Sequence, residues 1–280
     1  TIARSLRSSM SDAHYQFGFI GAGHLAGSVI QGLLKVNFCP ATAILASEPN
    51  EELRRSRAEK LGIHVTAENA EVAEKAKTIL VGVKPAVVLP VLRELGDSLA
   101  NKRVVSLAAG IRIASMEAVT DARIMRVLTN TPSAIARAAT AYAAGTRTTD
   151  ADRELIGAMF SAIGVATEVS DDQIDAVTAL GGSGPAFIYS VIEALAAGGE
   201  KNGLDRDAAL KLAAQMTLGA AELALTSGKS PEQLRGEVAT PGGTTAAGLA
   251  AMEMLGARDA LIAAITAAVE RGREMSRESA

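Results

Sequence analysis

The chain has 280 residues, 48% of them hydrophobic, a formal net charge of -3 and 3% aromatic residues with no tryptophan. That is enough apolar material for about two packed domains, which excludes a disordered chain. Scattered Lys and Arg exclude nucleic acid as the main partner, since phosphate neutralisation needs clustered cations, and the few aromatics leave no stacking platforms for single strands or sugars.

Residues 1–16 read as a tail, and residues 1–9 ahead of Met10 as an expression scar or an Arg/Ser-rich transit remnant, because no apolar centre of a secretory signal is present. No apolar run reaches the ~18–20 residues of a membrane span. The single cysteine, Cys39, has no second Cys or nearby His to form a disulfide, metal or redox pair, so a reduced, cytoplasmic protein with no metal is expected.

The spacing predicts a strand over 17–20 that runs directly into Gly21-Ala22-Gly23-His24-Leu25-Ala26-Gly27 and then a helix over 29–36. Gly21 permits a tight turn, Gly23 lets backbone approach a pyrophosphate, and Ala26 is small enough for helix and strand to pack closely. This is the fingerprint of a Rossmann-like dinucleotide-binding domain in its proper context. A strand over 43–46 ends at Ser47-Glu48-Pro49-Asn50, where such a fold chooses between a ribose hydroxyl and a 2′-phosphate. Glu48 either holds a ribose or faces water, with Arg54 and Arg55 one helical turn on.

Further alternation follows, with helices over 51–61 and 69–75 and strands over 63–65 and 78–83, which builds a parallel sheet. Lys84 and Pro85 fall just past a strand's carboxyl end, the edge where open α/β sheets bind ligands. A strand over 103–107 opens into Ala108-Ala109-Gly110, a turn poor in side chains, and one over 123–128 ends in Thr129-Asn130-Thr131-Pro132. Segments 142–145, 150–163 and 165–169 complete a first domain over 17–170.

From residue 171 strands disappear, and Ala- and Leu-rich helices are predicted over 184–201, 205–226, 231–235 and 245–273. Several are apolar around most of their circumference, so an all-α dimerisation domain over 171–280 and a homodimer are expected. Two glycine-rich stretches precede helices here, at 175–185 and at Thr240-Pro241-Gly242-Gly243-Thr244-Thr245. The second resembles a small anion trap, with proline near a first helical position and exposed N–H groups at the positive end of the helix dipole.

All three histidines, His14, His24 and His64, lie in the first half, and the second half has no cysteine. An alcohol dehydrogenase must move a hydroxyl proton through a base such as His or Lys, whereas an imine nitrogen can arrive protonated. Thr244 and Thr245 offer it hydrogen bonds, and the N–H groups of Gly242 and Gly243 a seat for a carboxylate. A β-hydroxyacid dehydrogenase-like oxidoreductase and a non-catalytic NAD(P)-binding scaffold stay open on the residues alone.

Taken in order, GFIGAGHLAG, GVKP, VSLAAGI, TNTP, DAVTALGGSGPAF and TPGGTTAAGLAAME resemble the pyrroline-5-carboxylate reductase family over nearly everything after residue 16. The resemblance implies reduction of 1-pyrroline-5-carboxylate to L-proline with NADPH or NADH. It implies cofactor contacts at Gly21, Ala22, Gly23, His24, Leu25, Ser47, Asn69, Lys84, Pro85, Ala108 and Ala109, and Glu48 and Val83 at the same strand ends are expected beside them. It puts substrate on Thr240, Gly242, Gly243, Thr244 and Thr245, with Thr245 catalytic near the ring nitrogen and facing a cofactor held by the partner subunit of a homodimer, with a larger homo-oligomer possible. The chain departs from the family at Gly182, where Ser is common, at Phe187 in place of Tyr, and at Glu48, which an NADPH-preferring member replaces by a neutral or basic residue.

Overall fold

The computed structural model describes residues 15–278, so the tail over 1–14, His14 included, lies outside the described residues. In chain order the first unit holds β1 (Tyr15–Ile20), α1 (His24–Lys35), β2 (Ile44–Ser47), α2 (Glu51–Leu61), β3 (His64–Thr66), α3 (Asn69–Lys75), β4 (Ala76–Val81), α4 (Pro85–Leu95), β5 (Arg103–Ser106), α5 (Ile113–Glu117), β6 (Arg123–Leu128), β7 (Ala138–Ala144), α6 (Asp150–Ala162), β8 (Gly164–Glu168) and α7 (Ile174–Val177). The strands form one sheet in the order β3-β2-β1-β4-β5-β6-β7-β8, parallel throughout except for the antiparallel β6–β7 pair. This is the doubly wound arrangement that the alternation of elements predicts, with its reversal of strand order at β1 and β4.

Tyr15 already pairs with Ala76 on β4, so residues 15 and 16 belong to the sheet and not to a tail. The strand expected over 78–83 ends at Val81, because Gly82 turns away while donating to the Ile20 carbonyl at 2.8 Å. The helix α4 is absent from the sequence expectation: Pro90 lies inside it, and an interior proline normally argues against a helix. Its apolar face nevertheless buries Val88, Val91, Leu92 and Leu95 against the sheet, and that burial outweighs the lost hydrogen bond. The core lies on both faces of the sheet, one layer around Ile79, Val104 and Ile124, the other around Phe19, Ile30 and Phe160.

One end of the sheet is held by charge. Asp152, fully buried, accepts from Arg103 Nε at 2.7 Å and Arg123 Nε at 2.7 Å, and completes a capping box with Thr149 at the start of α6. Burial disfavours the carboxylate, but the Arg123 hydrogen bond, the Thr149 backbone and the Arg103 charge outweigh it and hold the carboxyl well below the usual range. Its stabilisation is present above the unfolded carboxylate pKa of about 3.9 and is lost as pH falls through the depressed folded value. Asp152→Ala leaves two half-buried guanidinium groups facing each other, and chemical denaturation at neutral pH is expected to show a loss of about 3–5 kcal/mol that shrinks towards acid pH. A loss below about 1 kcal/mol would make this an ordinary surface pair.

The compact units divide at Gly182 and Ser183, twelve residues after the expected boundary at 170/171, and residues from Ala268 onward belong to the first unit. The physical reason is visible within that unit. A π-helical turn, Thr178–Gly182, is pinned by the Asn130 side chain donating to the Gly181 carbonyl at 2.9 Å, and Asp175 is buried between Arg112 and Arg126.

The second unit contains α8 (Gly184–Lys201), α9 (Arg206–Thr226), α10 (Pro231–Val238), α11 (Thr244–Met254) and the start of α12 (Ala257–Glu278). Helices α8 and α9 pack closely where Gly199 admits Leu204 and Ala209. Leu212, Met216, Leu225 and Leu255 remain exposed, as helices apolar all round require when their partner surface lies on another chain. The helical run Asp171–Lys201 is long and apolar enough to cross a membrane by length and composition, which corrects the expectation that no run is.

Candidate active site

The hydrogen-bond register lines up Thr66, Ser47, Ile20, Val81, Ser106 and Arg126 as one row across β3, β2, β1, β4, β5 and β6. The chain therefore leaves β1, β2, β4 and β5 along a single edge, at Gly21, Glu48, Gly82 and Leu107. Gly21, Ser47, Glu48, Val83, Lys84 and Ala108 are brought together there although the sequence spreads them over 88 positions. This is the carboxyl edge of the sheet at its switch point, where dinucleotides bind.

Gly21 has φ +86°, and a Cβ there would lie 3.0 Å from Val83 Cγ1, so both conformation and space demand glycine. Gly23 is different. Its φ of -63° suits any residue, and a Cβ built on it meets no atom within 4 Å. The turn is therefore open on this side, as a fingerprint glycine that lets a pyrophosphate approach the backbone requires. Gly23 is also the N-cap of α1 and makes no side-chain cap, so the first N–H groups of the helix, from His24 and Leu25 onward, stay available to a diphosphate. Buried Ala26 lies opposite Gly82, where an added Cβ would come within 3.0 Å of it, the close helix–strand contact of the third fingerprint position.

The helix starts at His24, five residues before its expected apolar stretch, because the glycine N-cap itself begins the turn. His24 is exposed, and Ala22 is fully buried and offers backbone only.

At the end of β2, buried Ser47 donates through Oγ to Asn69 Oδ1 at 2.7 Å, tying two expected cofactor residues together. Glu48 is 8% exposed, and its Oε1 accepts from the Asn50 N–H at 3.1 Å. The alternative in which Glu48 simply faces water is thereby removed. Arg54 does not neutralise it; its Nη1 donates to the Glu48 carbonyl, and Arg55 pairs with Glu59 on the exposed face of α2. A carboxylate at this strand end accepts hydrogen bonds from a ribose diol and repels a 2′-phosphate. Glu48→Ser is therefore expected to move the ratio of kcat/KM values towards NADPH by at least about tenfold, and an unchanged ratio would place Glu48 away from the ribose.

Lys84 is exposed and is the N-cap of α4, with Pro85 at the first helical position. Ala108 is buried and donates to Ser106 Oγ, with Ala109 following it on the same turn. Gly110, with φ +75°, has a reason inside the protein, since its Cα side faces Met275 on α12 at 3.3 Å from an added Cβ. The polar turn after β6 is structural as well. Asn130 holds Gly181 and Ala139, and the segment after it passes so close to α1 that a Cβ on Gly32 would collide with the Ser133 carbonyl.

Sequence reasoning missed Arg57 on α2. Its Nε donates to the Ala22 carbonyl at 3.0 Å and its Nη2 to the Gly23 carbonyl at 3.1 Å, beneath the dinucleotide turn. The available signal was Gly27, a glycine inside a helix with no turn to make.

Within the second unit, residues 240–243 close a turn through the Gly243 N–H donating to the Thr240 carbonyl at 3.0 Å, with Pro241 and then Gly242 at φ +74°, the requirements of a type II turn. Gly243 must lack a side chain because a Cβ would lie 2.5 Å from Thr240 Oγ1. It is the N-cap of α11 and supplies no side-chain cap, so the N–H groups of the first turn remain available. Thr244 is exposed and Thr245 half-buried, one helical position apart. At 182, an added Cβ would touch Leu128 at an ordinary 3.6 Å, so the fold itself does not demand glycine where the family often has Ser.

Residues 171–275 match the family model described as pyrroline-5-carboxylate reductase dimerisation, and residues 16–110 match that described as NADP oxidoreductase, coenzyme F420-dependent. The chain is 42% identical to a pyrroline-5-carboxylate reductase of Pisum sativum over 95% of this chain and 98% of that one. It is 37% identical to the Methanosarcina acetivorans protein of the same name, over 94% and 98% of the two chains. Among solved structures, a pyrroline-5-carboxylate reductase from Coxiella burnetii matches with a TM-score of 0.86 and 34% identity, over 94% of this chain and 99% of that one. A Plasmodium falciparum pyrroline carboxylate reductase with NADP bound matches with a TM-score of 0.85 and 26% identity, over 95% and 100%.

Proposed function

The chain belongs to the pyrroline-5-carboxylate reductase family, and on that premise we propose that its dinucleotide lies on the turn over 21–25 and its imine substrate on the turn over 240–245. The enzyme is an NAD(P)H-dependent oxidoreductase acting on a C=N bond. It reduces 1-pyrroline-5-carboxylate to L-proline, the last step of proline biosynthesis, and it is a homodimer through its helical half, where exposed Leu212, Met216 and Leu225 gain their partner. The observation that supports the cofactor assignment best is Gly23, an N-cap without a side-chain cap, with open space where a side chain would stand and the first N–H groups of α1 beside it.

NAD(P)H, when bound, supplies the hydride to the C=N carbon. Of the protein's own groups, Gly21 through Leu25 receive the diphosphate on backbone N–H, Ser47, Glu48 and Asn69 the ribose end, and Val83, Lys84, Pro85, Ala108 and Ala109 border the remainder along the sheet edge. The uncapped first turn of α11, with Gly242, Gly243 and Thr244, holds the substrate carboxylate, and Thr240 shapes the turn around Gly243. Thr245 hydrogen-bonds the ring nitrogen. That nitrogen arrives protonated, so hydride addition yields the amine directly and no base is needed. On α8 the only lysine is Lys201, at the far end of the helix from Gly184, which leaves a base-dependent dehydrogenation of a hydroxy acid without its base.

Two further assignments complete the proposal. In functional terms the dinucleotide-binding domain runs from β1 to residue 170 and the dimerisation domain from 171, where the dimerisation family match begins. The compartment is the cytoplasm, where Cys39, buried and with its thiol pushed up to about 11 by burial, stays a reduced, inert side chain.

The test is spectrophotometric. Loss of NAD(P)H absorbance with 1-pyrroline-5-carboxylate, and L-proline as the product, is expected. Turnover only with a β-keto acid, or dinucleotide binding without any turnover, would overturn the proposal.

A further inference from the structure

We infer that Arg57 is a positioning residue for the dinucleotide, acting through the turn it holds and not by contact with the 2′-phosphate. The inference rests on the cofactor reading above. Two carbonyls, those of Ala22 and Gly23, point away from the N-terminal end of α1 and receive Nε and Nη2 of one guanidinium at 3.0 and 3.1 Å. The planar fork bridges adjacent carbonyls in a way that an ammonium cannot.

The seat for this fork is cut into α1 itself. Gly27 is buried in the helix, and a Cβ on it would lie 2.6 Å from Arg57 Cζ and 2.7 Å from Nη2. Glycine inside a helix costs about 1 kcal/mol relative to alanine. Here the gap admits the guanidinium flat against the backbone. The Gly23 carbonyl also accepts the first helical bond, from the Gly27 N–H at 2.9 Å, so Arg57 grips the same peptide that begins the helix.

Two consequences follow for an anion on the other side of these peptides. Fixing the Ala22 and Gly23 carbonyls fixes the orientation of the N–H groups of Gly23 and His24, which belong to the same peptide planes. A positive charge within one helical turn of the diphosphate seat adds to the field of the helix N-terminus. Both effects act on any dinucleotide, NADH and NADPH alike.

The experiment compares wild type, Arg57→Lys, Arg57→Met and Gly27→Ala as full-length chains, with fluorescence titration of NADH and of NADPH, steady-state kinetics and thermal melting. Arg57→Met is expected to raise the Kd and KM of both dinucleotides by about tenfold, the scale of one charge-assisted hydrogen bond, with kcat and the KM for pyrroline-5-carboxylate within about twofold of wild type. Arg57→Lys is expected to recover only part of the loss. Gly27→Ala, which displaces the guanidinium without removing it, is expected to move the same constants in the same direction. Unchanged dinucleotide constants in Arg57→Met, whether or not its melting temperature falls, would reduce Arg57 to a structural brace and overturn the inference. An effect confined to NADPH would overturn it too, by placing Arg57 at the 2′-phosphate. Failure of the wild-type protein to bind either dinucleotide would overturn the cofactor reading instead, and is seen in the same titration.

Discussion

Gly23→Val is expected to abolish useful dinucleotide binding while leaving the fold intact. The substituted residue keeps an allowed φ of -63°, and its Cβ enters space that no protein atom occupies within 4 Å. The stability cost is that of a poorer N-cap, about 0.5–1 kcal/mol, or a few degrees in melting temperature. The cost in binding is far larger, because the side chain stands where the diphosphate must approach the N–H groups of α1. A rise of at least about a hundredfold in the Kd of both NADH and NADPH is expected, equivalent to about 2.8 kcal/mol. The neighbouring Gly21→Val behaves differently, since φ +86° and the 3.0 Å approach to Val83 make it a folding defect first. Equal Kd values for Gly23→Val and wild type would remove the diphosphate from this turn.

The dinucleotide half was legible because its signals are local. A short apolar strand, a glycine turn and a helix occupy one continuous stretch, and the alternation of elements after them determines a parallel sheet whose carboxyl edge collects the loops. The environment of Glu48 was not legible. Whether its carboxylate faced water or turned inward depended on the Asn50 N–H that donates to it, a contact set by backbone geometry. Arg57 was hidden for a related reason. Arg54 and Arg55 stand closer to the strand end in sequence, but the helical period turns Arg55 outward to Glu59 and Arg57 inward to the glycine turn. The helix containing Pro90 carries a local penalty that is offset only by packing its apolar face against the sheet, which no local pattern shows.

The compact units divide at Gly182 and not at the expected 170/171, and the sequence does not show why. The strands do end at Glu168, and sequence punctuation changes there. The segment that follows stays with the sheet unit through long-range ties, Arg112 and Arg126 to Asp175, and Asn130 to Gly181, which join residues 49 to 63 positions apart and leave no local pattern. The return of residues after Ala267 to the first unit has the same character, its visible trace being the contact of Met275 with Gly110.

Thr245→Ala is the second change with a large expected effect. The hydroxyl lies on the first turn of α11, held there by a turn whose every glycine has a stated reason: Gly242 for its φ of +74° and Gly243 for its closeness to Thr240. Alanine is a better helix former than threonine, so the helix survives the substitution. In the proposed role, what is removed is one hydrogen bond to a charged imine nitrogen, about 1.5–3 kcal/mol, or roughly ten- to a hundredfold in rate if the bond strengthens as hydride adds. Thr244→Ala, on the exposed neighbour, is expected to have a smaller effect that falls on the KM for substrate.

The central claim is that substrate is held and oriented by the turn over 240–245 while the dinucleotide is held elsewhere. It is tested most directly by measuring kcat for 1-pyrroline-5-carboxylate reduction and the Kd of NAD(P)H on the same preparation of Thr245→Ala. The account predicts kcat lowered by at least about tenfold with an unchanged dinucleotide Kd. Wild-type turnover, or a loss of dinucleotide affinity matching the loss of rate, would contradict it.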